Sequence, residues 1–174
     1  MNKTRRLERK YLPEFVYGGM DGAITTFAVV SGVMGASLNS VVILILGFAN
    51  LFADGFSMAI SNYSSIKSRN DLLKIPEKNP VKSGVATFFS FLIIGIIPLL
   101  SFVIASLTQN SSLISNQFEY SAILTGVALI IVGWFKGEVT GKHKTRSILQ
   151  TLVIGGIAAL LAFFAGGFIS ILVS

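Results

Sequence analysis

A chain of 174 residues that is 52% hydrophobic and only 13% charged, with a mean hydropathy of +0.74, lies outside the range of water-soluble domains, where roughly 25% of residues are charged. Its 14 basic and 8 acidic side chains are bunched, so that 83–118 and 147–174 hold none, and each of these gaps is long enough to cross a bilayer. The absence of cysteine excludes disulfides, thiolate metal centres, iron–sulfur ligation and cysteine nucleophiles, and the net charge of +6 sits at the edges of apolar segments, which suits anionic lipid and calls for no nucleic-acid partner.

A membrane-spanning helix needs about 20 predominantly apolar residues, because backbone polar groups have no water to bond in hydrocarbon. Five segments meet that demand and predict an all-α integral membrane protein made of one transmembrane domain, 1–174. The first runs over 15–36 and the second over 41–66, joined by the short break Ser37-Leu38-Asn39-Ser40 into a helical hairpin. The charged stretch 67–82, with Asp71, Glu77, Pro76 and Pro80, reads as a short cytoplasmic linker holding at most a helical turn or two. A third span covers 84–107 and should be kinked at Pro98; an uncharged polar loop follows over 108–117. The fourth, 120–135, is short unless Glu119 and Lys136 snorkel, and the fifth covers 148–173. The N-terminal segment does not read as a cleavable signal, since its apolar part follows Pro13 and Glu14 and carries Asp21.

Cytoplasmic loops carry the excess of lysine and arginine. Lys3, Arg5, Arg6, Arg9 and Lys10 precede the first span; Lys67, Arg69, Lys74, Lys78 and Lys82 lie between the second and third; Lys136, Lys142, Lys144 and Arg146 lie between the fourth and fifth. The alternate loops have none. The expected topology is therefore five helices with the N-terminus cytoplasmic and the C-terminus on the opposite side.

Acidic residues inside spans carry the functional signal, because each costs about 2.5–3.5 kcal/mol at the centre of an inserted helix. Glu14 stands at the cytoplasmic mouth of the first span and Asp21 seven residues deeper on the same face, with Thr25 one turn further. On the second span Asn50, Asp54, Met58 and Asn62 recur every four residues, flanked by Ser57, Ser61 and Ser65. No lysine or arginine occurs between positions 11 and 66, so Asp21 and Asp54 must be protonated, hydrated or cation-bound. A wet pathway and a buried hydrogen-bond network both fit such stripes; exchange of protons for a metal is what a proton-coupled cation transporter needs. Carboxylate and amide oxygens with one thioether favour Fe²⁺ or Mn²⁺ over Ca²⁺ or Mg²⁺ and over a dedicated zinc site, although a methionine in an apolar helix is more often packing. His143, the single histidine, falls in the basic loop 142–146 and reads as solvated. Most of the 17 glycines lie in the spans, where small residues let helices approach closely.

The stretch YGGMDGAITTFAVVSGVMGAS, followed by ILGFANLFADGFSMAISNYSSIKS, resembles the first hairpin of the vacuolar iron transporter family, and WFKGEVTG with the glycine-rich last span is similar to the family's final two helices. The specific part is D-G-x-x-T-T-F-A-V-V with A-D-G-x-S-M-x-x-x-x-Y. The resemblance implies a five-helix homodimer, with no cofactor, that moves Fe²⁺ or Mn²⁺ out of the cytosol in exchange for protons along a path between the first two helices. It matches Asp21 to the pathway carboxylate, Glu14 to the acid at the cytoplasmic entrance and Met58 to the pathway methionine. Plant-type members carry a glutamate where this chain has Asn50, and Asp54 supplies an acid one turn along. They also carry an acidic metal-binding domain between the second and third helices, where this chain has only 67–82, so it resembles a short prokaryotic type expected in the cell membrane.

The expected metal ligands are thus Glu14, Asp21, Asn50, Asp54 and Met58, with Glu14, Asp21 and Asp54 coupling protons and Gly18, Gly19, Gly22 and Gly55 serving as hinges. Two rival readings belong to other classes. An intramembrane aspartyl protease needs a shared-proton dyad, but Gly18-Gly19-Met20-Asp21 and Leu51-Phe52-Ala53-Asp54 both miss the Gly-x-Gly-Asp motif of those enzymes. A non-transporting scaffold protein would use the polar stripes only to hold the hairpin together.

Overall fold

The computed structural model describes residues 3–74 and 78–173, with side chains from residue 10 onward; Pro76 and Glu77 of the linker lie outside the described residues. Those described form helices and short connections, with no strand among them. In chain order they are α1 (Lys3–Gly35), α2 (Ser40–Leu73), α3 (Pro80–Gly95), a 3-10 turn (Ile97–Leu99), α4 (Leu100–Thr108), α5 (Ser111–Ser115), α6 (Gln117–Thr140) and α7 (Lys144–Val173).

The helix ends follow local chemistry. Asn39 caps α2 by accepting the Val41 N–H, and Asn79 caps α3 by accepting the Lys82 N–H, with Pro80 in the first turn, where a missing N–H does no harm. Gly141 ends α6 at φ +64°, a left-handed conformation that a side chain would strain. Pro98 breaks the third apolar stretch into α3, the 3-10 turn and α4, and its carbonyl accepts the Ser121 hydroxyl at 2.6 Å, which ties the break to α6.

Several helices exceed the apolar segments that predicted them. Helix α1 begins at Lys3 and continues through Pro13; α2 runs about two turns into the expected linker; α6 extends past 120–135 at both ends. Apolarity marks only the part of a helix that meets lipid, and the helices continue past it into polar residues.

Among the described residues, four helical stretches are long and apolar enough to cross a membrane: Ser40–Leu73, Pro80–Thr108, Gln117–Thr140 and Lys144–Val173. Helix α1 is not among them. Its 33 residues include Asp21 and a series of glycines and threonines, and it lies inside the bundle, touching α3, α6 and α7 and, less extensively, α2. A helix screened by its neighbours needs less apolar surface than one facing lipid. Helix α7 is the opposite case: only Ser147, Thr151 and Gly155 are buried, and Leu149, Leu160, Leu161, Phe164 and Phe168 point outward.

Glycine seams hold α1 on two sides. A Cβ at Gly22 would sit 2.5 Å from the Phe91 carbonyl oxygen, and one at Gly18 2.5 Å from that of Thr87, so the backbones of α1 and α3 are in direct contact. Further along, a Cβ at Gly35 would meet the Phe163 carbonyl oxygen of α7, and one at Gly166 that of Gly32, more closely still. Hydroxyl-to-carbonyl bonds add to these contacts and tie α7 to α6: Ser90 donates to the Phe15 carbonyl (2.6 Å), Ser170 to that of Ala36 (3.2 Å) and Thr151 to that of Leu129 (3.0 Å). Between the seams lie three apolar clusters, centred on Val16, Ala23 and Val132; on Val30, Ile43, Leu99 and Phe102; and on Leu51, Met58 and Phe91.

Candidate metal pathway

The sequence places two polar stripes on α1 and α2, and the fold decides how far they meet. Helix α2 lies chiefly on α3, because its buried face is built from Gly47, Leu51, Gly55, Met58 and Ala59, which receive Leu99 and Phe91 from across the contact. It touches α1 over a smaller area. Asp21 on α1 and Asp54 on α2 are both half-buried. Residues 11–66 contain no basic side chain, so nothing on either helix at this depth offers the pair a counter-charge.

Other members of the stripes take different places. Asn50, one turn from Asp54, is half-buried and its amide nitrogen is buried with no hydrogen-bond partner. Turning that amide about its last bond puts its oxygen in the same position, so Asn50 has an unspent polar end one turn along α2 from Asp54. Met58 is buried and packs with Leu51 and Phe91. Asn62 turns away from α1 and donates to the Thr87 hydroxyl (2.7 Å) and the Ser83 carbonyl (3.5 Å), which fastens α2 to α3. Thr25 spends its hydroxyl on the Asp21 carbonyl at 2.8 Å, a bond within α1. Ser57, Ser61 and Ser65 are exposed along the outer face of α2, and His143 is exposed at the turn between α6 and α7.

Glu14 is buried, with only 4% of its surface exposed. Its Oε1 accepts from Lys78 Nζ at 2.8 Å, while its Oε2 is buried and has no hydrogen-bond partner. Sequence reasoning did not find this pair. The two residues lie 64 apart, and the rule that puts their loops on one side of the membrane does not say which lysine reaches which acid.

Gly18, Gly19, Gly22 and Gly55 lie inside continuous helices, at the contacts of α1 and α2 with α3 or α6. Among the described residues, no group of three or more histidines, cysteines or acids comes together in one chain.

The chain matches the VIT family over residues 12–77 and 73–167. It belongs to that family. Among its relatives, the vacuolar iron transporter of Plasmodium berghei (strain Anka) is 25% identical over 225 aligned positions, covering 92% of this chain and 82% of the relative. That of Centaurea cyanus is 26% identical over 212, covering 86% and 84%. Vacuolar iron transporter 1 of Oryza sativa subsp. japonica is 24% identical over 212, covering 86% and 82%. These proteins are named as transporters, in keeping with an integral membrane chain that is not an enzyme, and the aspartyl protease reading is dropped.

Proposed function

We propose that this metal ion transporter carries Fe²⁺ or Mn²⁺ from the cytosol across the membrane in exchange for protons, by a path between α1 and α2 that passes Glu14 and is held by Asp21 and Asp54, with Asn50 and Met58 as neutral ligands. The observation that carries the reading is that Asp21 on α1 and Asp54 on α2 are both half-buried in helices whose stretch 11–66 holds no basic side chain to neutralise them. Each costs about 2.5–3.5 kcal/mol to insert, a cost that a bound cation or proton relieves and that a purely structural carboxylate has no reason to incur. Iron is supported by the names of the relatives. Manganese and proton coupling rest on ligand chemistry: the site changes occupant only if protons replace the ion that leaves.

The reading includes α1 as a fifth span, the N-terminus in the cytosol and a second copy of the chain. Two carboxylates are few for a hard divalent ion, which takes six or more oxygens or keeps bound water. The outer face of α2 beside Asp54 presents Ala53, Ser57 and Ser61, small and polar groups that gain little from lipid and suit close contact with another helix. A two-fold axis along this face brings two Asp21–Asp54 pairs to one pathway. The glycines Gly18, Gly19, Gly22 and Gly55, with no side chains to interlock, let α1 and α2 shift on α3 as the site opens to each side in turn.

The family match falls in two pieces that meet at 73–77, and alignments of 212 to 225 positions must open gaps in a chain of 174. Both facts are consistent with extra chain in the relatives where this one has its short loop. We assign the protein to the cell membrane of a prokaryote, whereas the relatives are named as vacuolar proteins. The test is reconstitution. Vesicles carrying the protein should take up Fe²⁺ or Mn²⁺ and move protons the opposite way, and a pH dye should report a change that stops when metal is withheld. Metal flux without proton movement removes the coupling; proton and metal silence favours the scaffold reading.

A further inference from the structure

Glu14 lies one helical turn toward the cytosolic end from Gly18, where α1 rests against Thr87 of α3. A carboxylate removed from water needs a counter-charge, and here that charge comes from a loop in place of a neighbouring helix. Lys78 is the first described residue after position 77, and its position is fixed from two sides. Its carbonyl accepts the Asn70 side-chain amide of α2 at 2.8 Å, and the next residue, Asn79, caps α3. A backbone held in this way presents the ammonium at one place, unlike a surface lysine free to search solvent.

The contact is incomplete in an informative manner. Lys78 keeps a quarter of its side chain exposed while Glu14 keeps only 5%, so the pair sits on the boundary between water and the bundle. The ammonium satisfies one carboxylate oxygen, and the second is buried without a partner. Ser83 Oγ, on the first turns of α3 at the same end of the bundle, is also buried and unpartnered. Lysine is a compact single charge and cannot grip both oxygens as an arginine fork does. A divalent ion can use both carboxylate oxygens and brings twice the charge.

On the transport reading above, we propose that Lys78 is a tethered cation occupying the cytosolic mouth: its ammonium holds Glu14 until Fe²⁺ or Mn²⁺ displaces it, so the Lys78–Glu14 pair sets the metal concentration at which the path loads. In a chain whose cytosolic loop is short, this gives the entrance a threshold, with no separate metal-binding segment required.

The probe is Mn²⁺, whose free ion is read directly by electron paramagnetic resonance during titration of the purified full-length protein. Lys78→Gln should lower the half-saturating Mn²⁺ concentration about fivefold or more, the scale of a partly buried charge pair. In a Glu14→Gln background the same lysine change should do nothing. Lys78→Arg, which retains the charge and grips both oxygens, should raise the concentration needed. An unchanged or higher value for Lys78→Gln overturns the proposal, as does an equal gain when Glu14 is already neutral or no rise with Lys78→Arg. If Lys78→Gln fails to fold, the arginine variant decides alone. Should wild-type vesicles carry no metal, the transport reading fails, and the binding titration still decides whether Lys78 guards Glu14.

Discussion

Asp21→Asn is expected to reduce Fe²⁺ or Mn²⁺ uptake into proteoliposomes on the order of 100-fold or more, while the protein still inserts and elutes as the wild type does. Loss of a residue that only supports metal ligands already costs 10–100-fold, and Asp21 is assigned as a ligand itself. The substitution keeps shape and hydrogen-bonding capacity and removes one charge, so it separates the two meanings of a polar residue in a membrane helix. A structural Asp21 tolerates the amide, since the bond it visibly supports is accepted by its backbone carbonyl from Thr25. A metal-binding Asp21 does not. Asp54→Asn should follow the same course, because Asp54, like Asp21, is half-buried in a stretch with no basic side chain. Undiminished uptake by Asp21→Asn removes this aspartate from the mechanism.

The second large effect is on the fold. Gly22→Leu should lower the thermal midpoint in detergent on the order of 10 °C, whereas Gly156→Leu should leave it nearly unchanged. A Cβ at Gly22 meets the Phe91 carbonyl oxygen at 2.5 Å and its Cα at 3.1 Å, both backbone atoms of α3 that cannot rotate away. Overpacking of this kind costs about 3 kcal/mol, at the upper end of the usual range, and a chain of this size loses a few degrees per kcal/mol. At Gly156 a Cβ meets nothing within 4 Å. Equal midpoints for the two variants would mean that the α1–α3 backbone contact does not hold the bundle together.

These two positions also show what the sequence made legible. Hydropathy marked each apolar stretch, because a residue facing lipid has one chemical requirement and composition expresses it directly. Pro98 announced the break in the third stretch, since a missing N–H acts wherever the helix goes. The partners of the seams on α1 were less visible. Glycine signals a close approach without naming the partner, and nothing in Gly22 or Gly35 specifies Phe91 or Phe163.

In the candidate site, the spacing of four identified one side of α2 but not which neighbour each residue faces. Met58 and Asn62, on the same stripe as Asn50 and Asp54, also meet Phe91 and Thr87 of α3. The Glu14–Lys78 pair was hidden for a related reason. Both groups stand at the same membrane edge as many other charges, and selecting one partner depends on the Asn70 and Asn79 contacts that fix the loop, which arise only in the folded chain. Lys82-Ser83-Thr87 and Arg146-Ser147-Thr151 share one spacing, and in both the serine and the threonine are buried near the start of their helix, α3 and α7.

The most direct test is an anomalous-scattering map from crystals soaked in Mn²⁺ or Fe²⁺, collected above and below the metal's absorption edge. A single strong peak between α1 and α2, within coordination distance of Asp21 and Asp54 and lost in Asp21→Asn crystals, is the predicted result. A metal peak elsewhere in a protein that still transports, with the two carboxylates left bare or bonded only to protein, would contradict the account.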